Sequence, residues 1–599
     1  MDRCHHALPF GAELQANGRT RFRVWAPDAK NVALAIPELN DRFELRAAGG
    51  GWFETIAPVG PGTRYRYRID DEIEVQDPAA RFAPEGLSGP SEVIDPRAFQ
   101  WQDDGWRGQP WHRAVVYELH VGTFTPEGTY AAIMPRLPEL AADGINVIEL
   151  LPLATFPRTR GWGYDGVLPF APHPAYGRPD DLKRLIQAAH AAGIAVVLDV
   201  VYNHFGPEGN YLPRYASPFF TDRHHTPWGS AINFEGEAGR NVRDFFIQNA
   251  LYWLNEYRFD GLRLDAVHAI LDESSTHVVD ELAAAMDAGP GRERYIHLIL
   301  ENHDNQATRL QRTGSRVSKA QWNDDFHHVM HVLLTGERDG YYANYAEQPH
   351  EQLARVLAEG FAFQGEPYGD AREPRGEPSS GLAVTAFIDF LQNHDQVGNR
   401  ALGERLTTLA APERVQAGLA LLLLAPHVPM LFMGEEYGAR QPFLFFCDYE
   451  GELAQAITRG RRAEFAGFAT FAAAPERIPD PNAIATFERS RLRWEDRNES
   501  PYRERLELVR ELLRVRAQHI TPRVPSIEPG SARRQVEGRA IRVSWPVSDG
   551  VLRLEANLSD DAAGCGAAEG RQRELLYSTT ASPSDSRLAP WEVRASLLG

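Results

Sequence analysis

Cysteine is scarce in this sequence, and long apolar runs are missing. The 599 residues include three cysteines, Cys4, Cys447 and Cys565, which lie far apart in no metal-ligand spacing. We therefore expect no disulfide framework. The longest apolar stretch, AGLALLLLAPHVPMLFM, is interrupted by two prolines and a histidine, and the N-terminus MDRCHHALPFGAEL lacks the pattern of a signal peptide. These absences predict a cytoplasmic protein with no membrane partner.

Positive charge is also in short supply. The sequence has 82 acidic and 63 basic residues, which gives a net charge of −19. Such a surface is a poor match for nucleic acid or for an anionic membrane, so neither partner is expected. Apolar residues make up 43% and charged residues 24%, which is ordinary usage for a globular protein, and the length predicts more than one domain.

Both ends of the chain carry the two-residue alternation of half-buried strands. TRFRVWAP and TRYRYRID, separated by turns rich in Gly and Pro, predict a small antiparallel Ig-like β-sandwich of the carbohydrate-binding-module kind over residues 1–95. A linker over 96–112 contains WQDDGWRGQPW. The stretch RAIRVSWPVSDGVLRLEANL predicts a small β-domain over 520–599.

Between these ends, continuous apolar runs alternate with helix-like segments. AVVYELHV, INVIELLPL and IAVVLDVVYNH are three of about eight such runs, and the one near KAQWND is weak. Strands buried on both faces with helices between them indicate a parallel sheet. The sequence therefore predicts an α/β fold with a (β/α)8 TIM barrel over 113–519. An open doubly wound sheet is the alternative, but no G-x-G-x-x-G follows the first run.

Polar residues stand where several predicted strands end. A barrel places its active site at that end, so these side chains should converge. Each aspartate alone could be a helix cap or a turn former, but the combination of carboxylates, histidines and an arginine indicates a catalytic site. The residues are Asp199, Asn203 and His204 after the third strand, Arg263, Asp265 and His268 after the fourth, Glu301 after the fifth, and His394 and Asp395 after the seventh.

Four of these segments carry a family resemblance. DVVYNH, GLRLDAVH, LILEN and LQNHDQ resemble, in order and in strand context, the four short motifs of the α-amylase family of glycoside hydrolases. The resemblance covers the whole chain and implies that Asp265 is the nucleophile, Glu301 the general acid/base and Asp395 the carboxylate that stabilises the transition state. Retaining hydrolysis needs a carboxylate and a carboxylic acid about 5–5.5 Å apart. By the same logic, Glu301 should have a raised pKa, and Arg263 should keep Asp265 charged.

The resemblance also implies a set of sugar contacts around these carboxylates. His204 and His394 would donate hydrogen bonds to sugar hydroxyls, Tyr164 and Asp165 of GWGYDG would stack under the sugar and bind it, and NDDFHH after the sixth strand would face the leaving group. A helix start exposed to solvent is the alternative for NDDFHH. The predicted substrate-binding residues are Tyr164, Asp165, His204, Arg263, His268, Asp324, Asp325, His327, His328, His394, Gln396 and Asn399.

Segments rich in histidine and carboxylate raise the possibility of a metal site. His327 and His331 are four residues apart, as in a zinc pair, but Glu does not follow the first histidine as in H-E-x-x-H. Asn203 matches the asparagine through which some amylases hold calcium, but the other ligands are not evident. We favour hydrogen bonding to sugar and expect neither a metal nor a cofactor.

The segments between the motifs refine the expected substrate. WNDDFHHVMHVLLTGERDGYY, LQNHDQVGNRALGERL and PFLFFCDYEGELAQAITRGRRAEF are similar to those of family members that cleave the α-1,4 bond next to a terminal trehalose. The resemblance implies maltooligosyltrehalose and related α-1,4-glucans as substrates, and a functional partnership with a maltooligosyltrehalose synthase. A branching enzyme, which transfers glucan chains, is the enzymatic alternative. A glucan-binding scaffold is the non-enzymatic one, but it predicts a replaced catalytic carboxylate, and none is replaced.

Overall fold

A β-sandwich forms the N-terminal part of the protein. The computed structural model describes residues 5–39, 41–311, 316–369, 372–466, 474–564, 572–584 and 587–599. One antiparallel sheet contains Gly11–Leu14, Thr20–Trp25, Trp52–Ala57 and Arg46–Gly49, in that order. The other contains Asp41–Glu44, Val32–Ile36, Arg64–Ile69 and Ile73–Val75, with Ser91–Glu92 beside Arg64–Ile69. Along Thr20–Trp25 buried and partly buried residues alternate, as expected of a strand with one face on the core.

Eight parallel strands form a closed barrel, which confirms the predicted α/β fold. We number them β1 to β8 in chain order: Val116–Leu119, Val147–Leu150, Ala195–Val200, Gly261–Leu264, Ile296–Leu300, Val317–Trp322, Phe387–Phe390 and Val428–Phe432. The sixth strand was the weak one in the sequence because it carries Lys319 and Gln321. It pairs with β7 through two residues only, Gln321 and Trp322.

Helices surround the barrel, and several begin with proline at a position where its missing N–H costs nothing. Pro179, Pro349 and Pro412 each open a helix in this way. The α-helices in the described part of the chain are Val121–Phe124, Tyr130–Ile133, Leu137–Asp143, Pro179–Ala191, Leu212–Tyr215, Gly236–Glu256, Val278–Ala288, Asp324–Thr335, Pro349–Glu359, His394–Gly398, Leu406–Leu409, Pro412–Leu424, Gly451–Glu464, Ile484–Arg489 and Tyr502–Val515.

The barrel interior changes from apolar to charged towards the C-terminal ends of its strands. The apolar part includes Val116, Val147, Val197, Ile299, Ile388 and Val428. Two residues further along β1, β2 and β3, on the same face, come the buried side chains Glu118, Glu149 and Asp199, and Arg263 on β4 is in register with Asp199. The packed core therefore ends in a layer of charged groups, and the candidate site lies directly above this layer.

A second β-domain ends the chain. Its five antiparallel strands lie in the order Arg533–Glu537, Ala540–Val547, Gly550–Asn557, Val593–Leu598 and Gln572–Ser578, beside the small pair Ala563–Gly564 and Arg587–Leu588. The Arg534 side chain reaches Glu359 on the barrel side at 3.1 Å.

The N-terminal sandwich packs closely on the barrel. Arg81, which is buried, pairs with Glu256 of the barrel at 3.3 Å and with Glu13 of the sandwich at 3.0 Å. Gly209 has a φ of +92°, and a Cβ there would lie 2.8 Å from the Leu87 side chain. Glycine at 209 therefore permits the close approach of the segment that leaves the sandwich.

Two expectations about the whole chain can be compared with the structure. Cys447 is a buried free thiol, whereas Cys4 and Cys565 lie outside the described residues. Among the helices of the described ranges, none combines the length and the apolar character needed to cross a membrane.

Candidate active site

The two residues predicted to react with substrate are held by the sheet itself. Asp265 follows β4, and its main-chain N–H donates to the carbonyl of Val200 on β3 at 3.1 Å. Glu301 follows β5, and its N–H donates to the carbonyl of Leu264 at 3.0 Å. The parallel ladder thus continues one residue beyond each strand. As a result, the main chain of both residues is fixed by the barrel rather than by a loop.

Arg263 brings the carboxylates together. Its Nη1 donates to Asp199 at 2.7 Å and to Asp265 at 3.0 Å, and its Nη2 lies 3.0 Å from Glu301 Oε2. The guanidinium lies over the Trp322 ring, 4.0 Å from its centroid. Burial alone would lower the pKa of Arg263, but the carboxylates, Asp199 foremost, raise it well above its usual value. One buried cation therefore fixes the predicted nucleophile and the predicted acid beside each other.

The expectation of a raised pKa for Glu301 is wrong for this structure. Burial raises the pKa of Glu301, but the charge of Arg263 and the N–H of Ala266, which donates to Oε2 at 2.7 Å, outweigh it and lower the pKa. The pKa of Asp265 is raised well above its usual range, first by burial and then by the charge of Glu301. The sequence could not reveal that Glu301 folds back onto Arg263. The two carboxyl groups titrate as a pair, with a proton favoured on Asp265 in this arrangement.

His394 and Asp395 begin a short helix after β7. The His394 ring hydrogen-bonds through Nδ1 to Glu118 at 2.5 Å, and its main-chain N–H donates to the same carboxylate at 2.9 Å. Burial lowers the pKa of His394, but Glu118 raises it above the usual value. The side-chain amide of Asn399 donates to Asp395 at 2.6 Å. Burial raises the pKa of Asp395.

Two stacked pairs of rings, joined by one hydrogen bond, lie between Asp199 and the surface. Tyr164 stacks on His394, with centroids 5.1 Å apart, and its hydroxyl donates to Asp199 at 2.6 Å. The His204 Nε2 hydrogen-bonds to the Tyr164 carbonyl at 3.0 Å, and the His204 ring stacks on Trp228 at 4.7 Å and 6°. Burial lowers the pKa of His204 to about 4, so its ring is neutral at pH 7. Trp228 is 49% exposed.

Two residues of this site were missed in the sequence. Trp228 lies at the turn of the hairpin formed by residues 220–232, where a lone aromatic among turn residues gives no signal of its position. Glu118, the partner of His394, is the next-to-last residue of β1, as Asp199 is of β3. This position near the end of a buried strand is the signal that could have identified it.

Three further predicted contacts lie near the same mouth. Asp165 is partly buried, and burial raises its pKa. His268 is partly buried, and its Nδ1 accepts the main-chain N–H of His303 at 3.4 Å. Gln396 is partly buried, and its N–H donates to the Asn393 side chain at 2.8 Å, which leaves the Gln396 amide available for other partners.

The structure corrects the predicted role of Asp325. Its side chain is fully buried, and both of its oxygens are occupied by protein donors that come from several loops. The donors are the Tyr345 hydroxyl at 2.6 Å, Arg375 Nη1 at 2.8 Å, the Asn305 amide at 3.0 Å and the Ala362 N–H at 2.7 Å. Asp325 therefore joins the loops after β5 and β6 and has no capacity left for sugar hydroxyls.

His327 needs the same correction, whereas the predicted role of two of its neighbours stays a prediction. Both ring nitrogens of His327 are used within the protein, by the Leu391 carbonyl at 2.7 Å and by the Tyr342 hydroxyl at 3.4 Å. His328 Nδ1 has no protein partner among the described residues, and its pKa is well below the usual value, chiefly through burial. Asp324 is partly exposed, and burial raises its pKa to about 7.

The candidate zinc pair does not form a metal site in the described residues. His327 is occupied as above, and the His331 ring pairs with Glu337 at 2.8 Å. His224, Glu235 and Glu273 are the one group of described residues in which three potential ligand atoms lie within 4.8 Å of one another. Arg223 is 2.6 Å from Glu235 there, and its positive charge disfavours a cation. Asn203 is buried, and neither polar atom of its side chain has a protein partner among the described residues.

Comparison with known proteins places the chain among carbohydrate-active enzymes. Residues 93–248 match the catalytic domain of alpha amylase, residues 9–85 match carbohydrate-binding module 48, the isoamylase N-terminal domain, and residues 529–594 match a domain of unknown function. A crystal structure of a candidate alpha amylase from Salmonella typhimurium is 45% identical, with a TM-score of 0.93 over 99% of this chain and 100% of that one.

The closed barrel, the matched modules and the carboxylates around Arg263 define a glycoside hydrolase of the α-amylase class. A malto-oligosyltrehalose trehalohydrolase from Deinococcus radiodurans is 44% identical over 507 residues, which cover 84% of this chain and 82% of that protein. A branching enzyme from Rubrobacter xylanophilus is 35% identical over 288 residues, or 43% of this chain and 39% of that one. The chain belongs to the malto-oligosyltrehalose trehalohydrolase family.

Proposed function

We propose that this glycosidase hydrolyses, with retention, the α-1,4-glucosidic bond next to the terminal trehalose of maltooligosyltrehalose, releasing trehalose and a maltooligosaccharide. The observation that carries the retaining mechanism is the contact of one guanidinium, that of Arg263, with both Asp265 and Glu301 at 3.0 Å. Retaining enzymes keep their two carboxyl groups about 5–5.5 Å apart, whereas inverting enzymes separate them by about 6.5–9.5 Å to admit a water. A shared cation supports the closer spacing.

In the first step, a carboxylate oxygen of Asp265 attacks the anomeric carbon while Glu301 gives its proton to the departing glycosidic oxygen. The carbon–oxygen bond to trehalose breaks, and a bond from the sugar to Asp265 forms. In the second step, Glu301 takes a proton from water, whose oxygen attacks the same carbon; the bond to Asp265 breaks, and the maltooligosaccharide leaves. Asp395 stabilises the positive charge that develops on the sugar ring, and His394, held by Glu118, supports the bound ring through its hydroxyls.

The proton must lie on Glu301 when the reaction starts, although the contacts of the free site favour it on Asp265. A glycosidic oxygen beside Glu301 accepts a hydrogen bond only from the protonated acid. Binding of substrate therefore favours transfer of the shared proton from Asp265 to Glu301. The transfer also ionises the nucleophile, beside the cation of Arg263.

The leaving-group side of the site supports trehalose as the released sugar through two side chains. Asp324 and His328 come from the segment after β6 and have polar atoms available for hydroxyl groups. Trehalose joins two glucoses through both anomeric carbons, so its second ring is placed differently from that of maltose. A polar group that pairs with this ring is left unpaired by a plain maltooligosaccharide, which can discriminate strongly between the two substrates.

The proposed substrate implies a partner reaction. Another enzyme must convert the reducing end of an α-1,4-glucan into a non-reducing trehalose unit, and we propose a functional partnership with such a maltooligosyltrehalose synthase. Related α-1,4-glucans without the trehalose end are proposed as poorer substrates.

Product analysis tests the proposal. The purified enzyme is incubated separately with maltooligosyltrehalose and with a maltooligosaccharide of the same number of glucose units, and the products are identified by chromatography and by NMR at early times. We expect trehalose, together with a maltooligosaccharide that is first released as the α-anomer. Formation of α-1,6 branches without release of trehalose would assign the chain to the branching reaction. Release of the β-anomer would exclude retention.

A further inference from the structure

The barrel core contains an acidic side chain that the proposed reaction does not use. Glu149 lies on β2, is 1% exposed, and is in register with Glu118 on β1 and Val197 on β3. It points into the barrel, because Val147, two residues earlier on the same strand, belongs to the barrel interior. Neither oxygen of Glu149 has a hydrogen-bond partner among the described residues.

Two neighbours of Glu149 also have a polar atom without a protein partner. These atoms are Oδ1 of Asp199 and Nε of Arg263, which belong to adjacent residues of β3 and β4. If Glu149 carries a proton, its O–H can donate to Asp199, and its carbonyl oxygen can accept from Arg263 through an ordered water. Donors and acceptors then match one for one. An ionised Glu149 would leave one donor for three acceptors, all buried.

The charges in this layer also favour a neutral Glu149. Arg263 already contacts three carboxylates, and Glu118 is paired with His394. A further carboxylate here would be removed from water without a cation of its own, which is a costly arrangement. In agreement with this, the pKa of Glu149 is raised well above its usual range, first by burial and then by the charge of Asp199.

We propose that Glu149 is a positioning residue that acts as a neutral carboxylic acid, bonding Asp199 and Arg263 from within the barrel core. Through them it keeps Asp199 ionised and keeps the guanidinium in the plane from which it reaches Asp265 and Glu301. Glu149 itself does not touch the substrate. The protonation state of Glu149 can be tested without any activity, whereas its effect on turnover rests on the proposed function.

Infrared difference spectroscopy tests the protonation state. The spectrum of the Glu149→Gln variant is subtracted from that of the wild type at pH 7, and we expect a positive band from the carbonyl stretch of a protonated carboxyl group. Asp324, Glu435 and Glu436 also have pKa values raised to about 7, but they are present in both proteins and cancel. The absence of this band, or a carboxylate band in its place, would overturn the proposal whether or not the enzyme releases trehalose.

Kinetics of two variants test the positioning role. Glu149→Gln keeps a donor and an acceptor, so we expect kcat within about threefold of the wild type and an unchanged pH profile. Glu149→Leu removes both, and we expect kcat to fall about tenfold to hundredfold with KM little changed. The acid limb of the profile should move to higher pH, because Arg263, no longer held in place, stabilises the charges of Asp265 and Glu301 less well.

A third variant separates positioning from packing. Ile148→Val is a small change on the same strand, at a residue that faces away from the barrel interior, and it should leave the pH profile unchanged. If Glu149→Gln loses as much activity as Glu149→Leu, or if Glu149→Leu folds and has the wild-type profile, the positioning role is wrong. Should Glu149→Leu not fold, Glu149→Gln and the infrared measurement still decide between a neutral donor and an ionised carboxylate.

Discussion

The two sides of the barrel mouth are built differently. On the side of β4 and β5, Asp265 and Glu301 are fixed by ladder hydrogen bonds and share the cation Arg263. On the side of β6, Asp325 and His327, which occur in an equally suggestive sequence motif, have their polar atoms bound to neighbouring loops. The comparison teaches that carboxylates at the end of a barrel strand indicate an active site. Carboxylates and histidines at the start of a helix can instead hold neighbouring loops together.

The largest effect is expected on the β4–β5 side. Asp265→Asn and Glu301→Gln should each lower kcat by about a thousandfold or more, because each removes a reacting group while keeping its volume. Initial rates on maltooligosyltrehalose measure the loss, and circular dichroism checks that the fold is retained. A well-folded variant with near-normal turnover would remove that residue from the mechanism.

On the β6 side, Asp325→Ala should mainly damage the fold. It leaves Arg375 buried beside Tyr345 without its carboxylate, and breaking such a pair costs about 3–5 kcal/mol. The free energy of unfolding, measured in urea, should fall, and the activities on maltooligosyltrehalose and on maltooligosaccharide should fall by similar factors.

Asp324→Ala is the matched control for this variant, because Asp324 is adjacent and partly exposed. It should lower stability much less. A trehalose-specific loss in a stable Asp325→Ala protein would contradict the structural role and restore the prediction made from the sequence.

A moderate effect on specificity is expected for His328→Ala. The variant should lower kcat/KM for maltooligosyltrehalose about tenfold more than for a maltooligosaccharide of equal length, because His328 has a ring nitrogen free to pair with the leaving sugar. His327→Ala serves as the comparison and should affect both substrates alike. Equal losses for the two substrates with His328→Ala would indicate that this histidine, too, belongs to the framework.

The smallest effect concerns pH. Asp265 and Glu301 must hold one proton between them, so the raised pKa of Asp265 sets the alkaline limb of kcat/KM, and activity is lost as the pH rises through that pKa. A glucosyl fluoride needs no acid to leave, and Glu301→Gln has no proton to lose at residue 301. The alkaline limb measured for this variant with the fluoride should therefore disappear. An alkaline limb that persists would show that another group sets it.

The sequence predicted the barrel and the positions of the reacting carboxylates because both depend on local order. An apolar run that ends in Asp265 or Glu301 indicates by itself a buried strand followed by a carboxylate. The role of Asp325 depends instead on partners 20, 37 and 50 residues away along the chain, at Asn305, Ala362 and Arg375. The segment NDDFHH gives no indication of those partners.

The pKa of Glu301 could not be predicted for a related reason. It depends on the side-chain rotamer, which selects Arg263 and the Ala266 N–H as partners over water or a sugar. Trp228 was missed because its stacking on His204 is a contact between two loops.

The continuation of the ladder beyond β4 and β5 has a consequence for how such enzymes diversify. Because ladder hydrogen bonds of the sheet set the main chain of Asp265 and Glu301, substitutions at Asp324 and His328 can accumulate without displacing either carboxylate. The residues proposed to select the leaving sugar and those proposed to break the bond thus lie on separate parts of the chain. Substrate preference can therefore change during evolution while the residues that break the bond are kept.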